Sequence, residues 1–233
     1  MHTFYVPVLA PVGQAAVLAG DELRHLRVRR IREGEAVRLV DGAGGSADGT
    51  FEAGDRVRVQ AVTQEPLPAV TFVVLQAALP AERLDWALEK AVEAGAHEIV
   101  VFEAERSALG KRQADRHDRW TRAVREACKQ CGRARFPQVT FAASLDEALR
   151  VARCDLLWLA DAAGARPQFG APPARAGLLV GPEGGWTDRE REAAIAAGAR
   201  RVTFAPWVLR SETVAPLGLA LLQYGYGKPP VTP

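Results

Sequence analysis

The amino-acid sequence predicts an α/β protein, in which a mostly parallel sheet covered by helices follows a smaller β-rich part. Three observations carry this. From residue 69 onward, short apolar runs alternate with segments of helical periodicity, and strands separated by helices of that length build a parallel sheet buried on both faces. The first 68 residues instead show strand-like alternation around turn clusters. Near the C-terminus, two glycine- or proline-bearing loops leave two successive strands, which in open α/β sheets is where ligands bind.

Taken in order, residues 21–30 read as a short helix with a basic face. Residues 35–40 and 56–62 alternate as strands, with the turn cluster Asp41-Gly42-Ala43-Gly44-Gly45 between them. Pro66 and Pro68 bracket a linker, so the expected division is 1–68 and 69–233. In the second part residues 70–78, 98–102, 139–141, 155–160, 178–180 and 201–204 read as strands. Residues 82–95 form a helix with Leu84, Leu88, Ala91 and Val92 on one face, and 118–131 form another. Ser144-x-x-Glu147 and Thr187-x-x-Glu190 are capping boxes that open two more. The last helix is expected to start with Thr213 as its N-cap, which puts Pro216 in the first turn, where proline is tolerated. Arg210, Ser211 and Glu212 then lie in the loop facing its N-terminus, a place suited to an anion.

Composition excludes several classes. The chain has 233 residues, 48% hydrophobic and 25% charged, as a soluble globular protein would. No apolar run approaches the roughly 18 residues of a membrane helix, and MHTFYVPVLAPVG is not read as a signal peptide. Three cysteines make no disulfide framework, so a reducing cytoplasm is expected. The net charge of +2 is unevenly spread: residues 24–38 carry +4, residues 106–135 carry +7, and the remainder −9. Two basic segments point to a polyanion partner; the alternative is two solvated faces.

There is no dinucleotide fingerprint and no Walker loop. Gly181-Pro182-Glu183-Gly184-Gly185 is either a plain tight turn or a loop whose backbone approaches a flat ligand closely. Its pairing with Ala205-Pro206-Trp207-Val208-Leu209-Arg210-Ser211-Glu212-Thr213 strengthens the second reading. Cys128-x-x-Cys131 lacks a second pair for zinc. Both cysteines are instead placed on an apolar stripe with Trp120, Val124 and Ala127, opposite a basic face of Arg119, Arg122, Lys129 and Arg133. The four histidines show no ligand spacing, and no metal site is expected. Trp186 and Trp207 lie in the ligand loops, where each either packs or stacks on a base.

These motifs resemble the SPOUT class of S-adenosylmethionine-dependent RNA methyltransferases, and more narrowly the RsmE family, which methylates N3 of one uridine in 16S ribosomal RNA. The matching residues are GPEGG (Gly181 to Gly185), LRSET (Leu209 to Thr213), Glu105-Arg106-Ser107, Arg119-Trp120, the run from Glu126 to Arg133, His25-Leu26-x-Val28-x-Arg30 and Val40-Asp41-Gly42. The likeness spans nearly the whole chain. It departs where the family often has a Lys before the first large-domain helix and Pro80-Ala81-Glu82 stands here, at Glu93-Ala94-Gly95, and at Pro216.

The resemblance implies a small N-terminal PUA-like β-barrel that grips RNA, a catalytic domain whose C-terminal part is threaded as a trefoil knot, and a homodimer. It implies S-adenosylmethionine held by Leu159 and Ala160; by Leu179, Val180, Gly181, Pro182 and Gly185; by Phe204, Ala205, Pro206, Val208 and Leu209; and by Ser211 and Thr213. The RNA, naked 16S rRNA or the small subunit, would meet His25, Arg27, Arg30, Arg106, Arg119, Arg122, Lys129 and Arg133. Methylation at N3 needs loss of a weakly acidic proton and stabilisation of charge on the uracil oxygens. Arg210 suits the second task; Glu183 or Glu212 is the candidate proton acceptor, unless each carboxylate is structural. Alternative functions are a related ribose 2′-O methyltransferase and an RNA-binding module without catalysis.

Overall fold

The computed structural model describes residues 1–107 and 117–227. The described elements are β1 (His2–Tyr5), β2 (Ala15–Val17), α1 (Gly20–Arg29), β3 (Ala36–Val40), β4 (Gly45–Phe51), β5 (Arg56–Gln64), β6 (Thr71–Ala77), α2 (Ala81–Glu93) and β7 (Glu98–Phe102). They continue as α3 (His117–Cys131), β8 (Gln138–Ala142), α4 (Leu145–Ala152), β9 (Leu156–Ala165), β10 (Arg175–Val180), α5 (Asp188–Ala196), β11 (Arg200–Val202) and α6 (Ser211–Tyr226).

One compact unit comprises Met1–Leu67 together with Arg125–Phe136, so the second half of α3 belongs to it. Its five strands run in the order β1-β3-β4-β5-β2, with β1 parallel to β3 and the other pairs antiparallel. Alternation builds its core: Val37 and Leu39 of β3 and Val57 and Val59 of β5 point inward, joining Phe4, Leu18 and Leu26. Strand β4, GSADGTF, buries alternate residues, but two of the four buried positions are glycines, so its apolar signal is weak. Its pairing with β3 and β5 requires glycine at two of these positions. The β4–β5 register shifts between Asp48 and Gly49, and a Cβ at Gly49 would strike the Arg58 carbonyl.

The other unit comprises Pro68–Val124 and residues 137 onward. Its sheet is wholly parallel, in the order β11-β9-β10-β6-β7-β8. One face buries Val73, Leu75 and Ala77 of β6 under Leu145, Ala148 and Ala152 of α4 and Ala194 of α5. On the other, α2 packs on α6, and α6 packs on β6 and β10. Gly218 permits that approach, because a Cβ there would lie 2.6 Å from Leu178. The capping box predicted at Thr187 is complete, with Thr187 Oγ1 accepting from Glu190 N–H and the Glu190 carboxylate accepting from Thr187 N–H. Ser144 accepts from the Glu147 amide as an N-cap.

Three local expectations are corrected. Helix α6 starts at Ser211 with Arg210 as its N-cap, so Thr213 is not the cap. Pro216 is therefore the sixth helical residue and denies the Glu212 carbonyl its helical donor. Lys129 is not on an exposed basic face. It is 7% exposed, with Nζ 2.8 Å from Glu22 Oε1 and 2.8 Å from Glu126 Oε1. Cys131 is exposed, whereas Cys128 is buried as predicted. Burial pushes the Cys128 thiol up to about 12.

Candidate functional site

The sheet order reverses at β6 and β10: the chain passes from β6 to β7 and β8 on one side, whereas β9 and β11 lie beyond β10. At the carboxyl ends of these strands lies a cleft of about 720 Å³. Its walls come from the segment leaving β10 (181–183, 185 and 186), from the segment between β11 and α6 (203–205 and 207–210), and from Ala160, Asp161 and Ala162 within β9. The first turn of α6 supplies Ser211, Glu212 and Val214, and Arg83 of α2 and Arg106 after β7 complete the rim. Such a volume lies within the range of about 300–1,000 Å³ for small-molecule sites.

The walls are held by specific bonds. Trp186 Nε1 donates to the Ala160 carbonyl at 2.9 Å, and its indole stacks on Phe102 with ring centroids 6.3 Å apart. Trp186 is thus a buried wall residue and not a base-stacking one. Trp207 is 80% exposed at the cleft edge, beside Val208 at 85%. Ser211 Oγ donates to the Gly181 carbonyl and joins two loops 30 residues apart. Strand β9 shifts register against β11 between Arg201 and Val202, and a Cβ at Gly164 would lie 2.6 Å from the Val202 backbone. That irregularity turns residues 160–162 into the cleft.

Ten of the expected cofactor contacts line this cleft: Ala160, Val180, Gly181, Pro182, Gly185, Phe204, Ala205, Val208, Leu209 and Ser211. Leu159 and Leu179 do not. They are fully buried in the sheet core, because strand alternation turns them to the α4 face. Pro206 is exposed and Thr213 half-buried, and neither lines the cleft. Arg210, Glu183 and Glu212 all line it. The two carboxylates differ: Glu183 pairs with Arg83 at the rim, while Glu212 is 9% exposed and its Oε2 is buried without a hydrogen-bond partner.

Sequence reading missed Asp161, which sits in the cleft wall. Its Oδ2 accepts from Arg191 Nε at 3.0 Å and Arg201 Nε at 3.1 Å, and Oδ1 from the Ala163 amide. Burial pushes its carboxyl up, but the Ala163 amide and the two guanidinium groups outweigh this and leave it below the ordinary aspartate value. Arg83 was missed as well; no local signal marks a helix-borne Arg as a cleft residue. The apolar run before Asp161 ends at a charge, which is the one hint the sequence offers.

The expected RNA contacts divide between the two units. In the first, Arg27 and Arg30 are exposed, and Arg30 caps α1 in the left-handed conformation. His25 is half-buried, accepts at Nε2 from Arg29 Nε, and lies near Phe4. Its burial and Lys129 hold the imidazole below its usual value. Lys129 is committed to Glu22, and Arg133 is half-buried. In the second, Arg122 is exposed, Arg119 donates to Asp85, and Arg106 Nη1 donates to the Gly184 carbonyl at 3.2 Å. Among the described residues, no cluster of histidine, cysteine or carboxylate side chains suits a metal ion, and no helix is long and apolar enough to cross a membrane.

A family model described as an RNA methyltransferase domain matches residues 65–223, and one described as an RNA methyltransferase PUA domain matches residues 18–64. The ribosomal RNA small subunit methyltransferase E of Mycobacterium tuberculosis (strain CDC 1551 / Oshkosh) is 36% identical, across 93% of this chain and 88% of that protein. The chain belongs to the ribosomal RNA small subunit methyltransferase E family. The member from Bacillus subtilis (strain 168) is 26% identical over 89% of each chain. The crystal structure of the Neisseria gonorrhoeae member bound to S-adenosyl methionine superposes with a TM-score of 0.88, at 29% identity, covering 97% of this chain and 98% of that one. The SPOUT-type architecture expected from the loop motifs, with its small N-terminal curled sheet, is the architecture of this family.

Proposed function

We propose that the chain methylates N3 of a uridine in 16S ribosomal RNA, with S-adenosylmethionine as donor. The carrying observation is the cleft itself: the glycine-bearing loop after β10, the proline-bearing loop after β11 and residues 160–162 of β9 meet there, in a chain that matches an S-adenosyl methionine-bound relative over nearly its full length. The wall residues fit that cofactor. A flat adenine suits a slot between Val180-Gly181 and the 204–209 loop, and the buried, donorless Glu212 Oε2 suits a ligand that carries positive charge and N–H or O–H donors.

Bound there, S-adenosylmethionine supplies a methyl carbon activated by its sulfonium. The chain's own residues do the rest. Arg210, exposed at the N-cap of α6, offers a planar fork to a uracil oxygen as charge develops. Glu212 is favoured over Glu183 as proton acceptor, because the Glu183 carboxylate is spent on Arg83. Residues 1–68 are read as the RNA-gripping domain and 69–233 as the methyltransferase domain, with the knotted threading that the family reading carries. Arg27, Arg30, Arg106, Arg119, Arg122 and Arg133 neutralise phosphates, with His25 beside them. The same reading makes the protein a cytoplasmic homodimer that acts on the 16S rRNA of the small subunit. Incubation of unmethylated small subunits with the protein and labelled S-adenosylmethionine tests it: label on a base nitrogen of one uridine is expected, and label on a ribose oxygen, or none, defeats it.

A further inference from the structure

Strand β6 lies at the centre of the parallel sheet, with Gln76 paired in register to Val180 of β10 on one side and Val101 of β7 on the other. Every residue of β6 from Phe72 to Ala77 is buried, and Gln76 is the polar one. An amide in such a place is costly unless it is bonded. Here its two N–H donors are both used, while Oε1 is buried without a hydrogen-bond partner, so the donors alone offset that cost. Nε2 donates to the Ala77 carbonyl at 3.0 Å and to Ser211 Oγ at 3.2 Å, across 135 residues of sequence.

The bonding has a direction. Ser211 Oγ accepts from Gln76, so its own hydrogen is left to donate, and it does so to the Gly181 carbonyl. Gly181 is the first residue after β10, and Ser211 the first of α6. The chain Gln76–Ser211–Gly181 therefore ties the two loops that wall the cleft to the centre of the sheet. A hydroxyl can rotate and bond elsewhere; an amide locked at both hydrogens cannot turn without losing a bond. Gln76 does not itself line the cleft.

We propose that Gln76 is a positioning residue for the cofactor site, fixing the Ser211 hydroxyl as donor to Gly181 and thereby the separation of the two loops. The inference rests on the reading of the cleft as an S-adenosylmethionine site. It concerns the cofactor and not the RNA, since the bonded groups belong to the loop ends beneath the cleft.

The test is a double-mutant cycle on S-adenosylmethionine affinity by calorimetry, using the full chain as wild type, Gln76→Met, Ser211→Ala and the pair. Gln76→Met keeps the length and loses the donors. Each single variant is expected to bind about tenfold more weakly, the size of one net hydrogen bond, and the double variant no more weakly than the worse single one. Thermal melts run alongside separate a merely structural role, which lowers the melting temperature and leaves affinity alone. Gln76→Asn, whose amide falls one methylene short of Ser211, replaces Gln76→Met if that variant does not fold, with the same loss expected. Wild-type affinity in the Gln76 variant, or losses that multiply in the double variant, would overturn the relay. A wild-type chain that binds no S-adenosylmethionine would instead overturn the cofactor reading, and the inference with it.

Discussion

Gly181 opens the glycine loop, and its substitution gives a calculable effect. A β-carbon built there lies 2.8 Å from Trp186 Cε2 and 3.1 Å from both Cζ2 and Nε1. The sequence suggests that such a carbon crowds a ligand; the structure shows that it meets the indole first. That ring has little room to yield, since Nε1 is bonded to the Ala160 carbonyl at 2.9 Å and one face stacks on Phe102. Gly181→Ala therefore forces either the loop or the indole to move. Overpacking of this kind costs about 1–3 kcal/mol, and losing the Trp186–Ala160 bond adds about 0.5–1.5 kcal/mol. For a chain of this size each kcal/mol lowers the melting temperature by about 2–4 °C. Calorimetric melting should thus show a drop of at least a few degrees. Because Ala160, Gly181 and Trp186 all line the cleft, S-adenosylmethionine affinity should fall with it. Trp186→Phe removes the atoms that collide, so Gly181→Ala combined with Trp186→Phe should lose less than the sum of the two. Gly170→Ala is the control, because nothing lies within 4 Å of its β-carbon and its backbone is not left-handed. An unchanged melt and affinity in Gly181→Ala, or strict additivity in the double variant, refutes the reasoning.

Other outcomes follow from the same structure. Arg210→Ala should lower the methyl-transfer rate by about two to three orders of magnitude while leaving cofactor affinity largely intact, as loss of an oxyanion donor does; single-turnover assays on small subunits decide, and a near-normal rate removes Arg210 from the chemistry. Replacing Arg27, Arg30 and Arg122 together with Ala should weaken RNA binding and flatten its salt dependence, measured by titration at several salt concentrations. Lys129→Ala should act on stability instead, costing about 3–5 kcal/mol in denaturant unfolding by leaving Glu22 buried without its partner. Asp161→Asn should be destabilising at neutral pH and progressively less so in acid. A carboxyl held below its ordinary value contributes stability above the unfolded pKa of about 3.9 and loses it as pH falls through the folded value.

Much of the fold was legible because its strands are apolar runs separated by periodic helices. Residues 98–102 and 56–62 mark β7 and most of β5, and Thr187-x-x-Glu190 marks the start of α5. What escaped had a physical reason. Strand β4 holds Gly45 and Gly49 where a β-carbon would collide, so only Ala47 and Phe51 carry its apolar alternation. The start of α6 was misplaced because Pro216 was assumed to need the first turn, whereas the helix tolerates it at the sixth residue. Within the cleft, the loop residues were readable from glycine, proline and chain order. Leu159 and Leu179 stand next to cleft residues but turn their side chains to the α4 face, because two residues adjacent on a strand face opposite ways. Lys129 shows the limit of counting charge: helical spacing put it beside arginines, but Glu22, 107 residues earlier, decides its environment.

The cleft is proposed to serve methyl transfer to a base nitrogen. The most direct measurement is mass mapping of 16S rRNA from small subunits that lack the modification, before and after incubation with the protein and S-adenosylmethionine. One added methyl group is expected on the base of a single uridine, at N3, so that the nucleotide blocks Watson–Crick pairing and arrests reverse transcription there. A methyl group on a ribose, on another base, or no methyl group at all would contradict it.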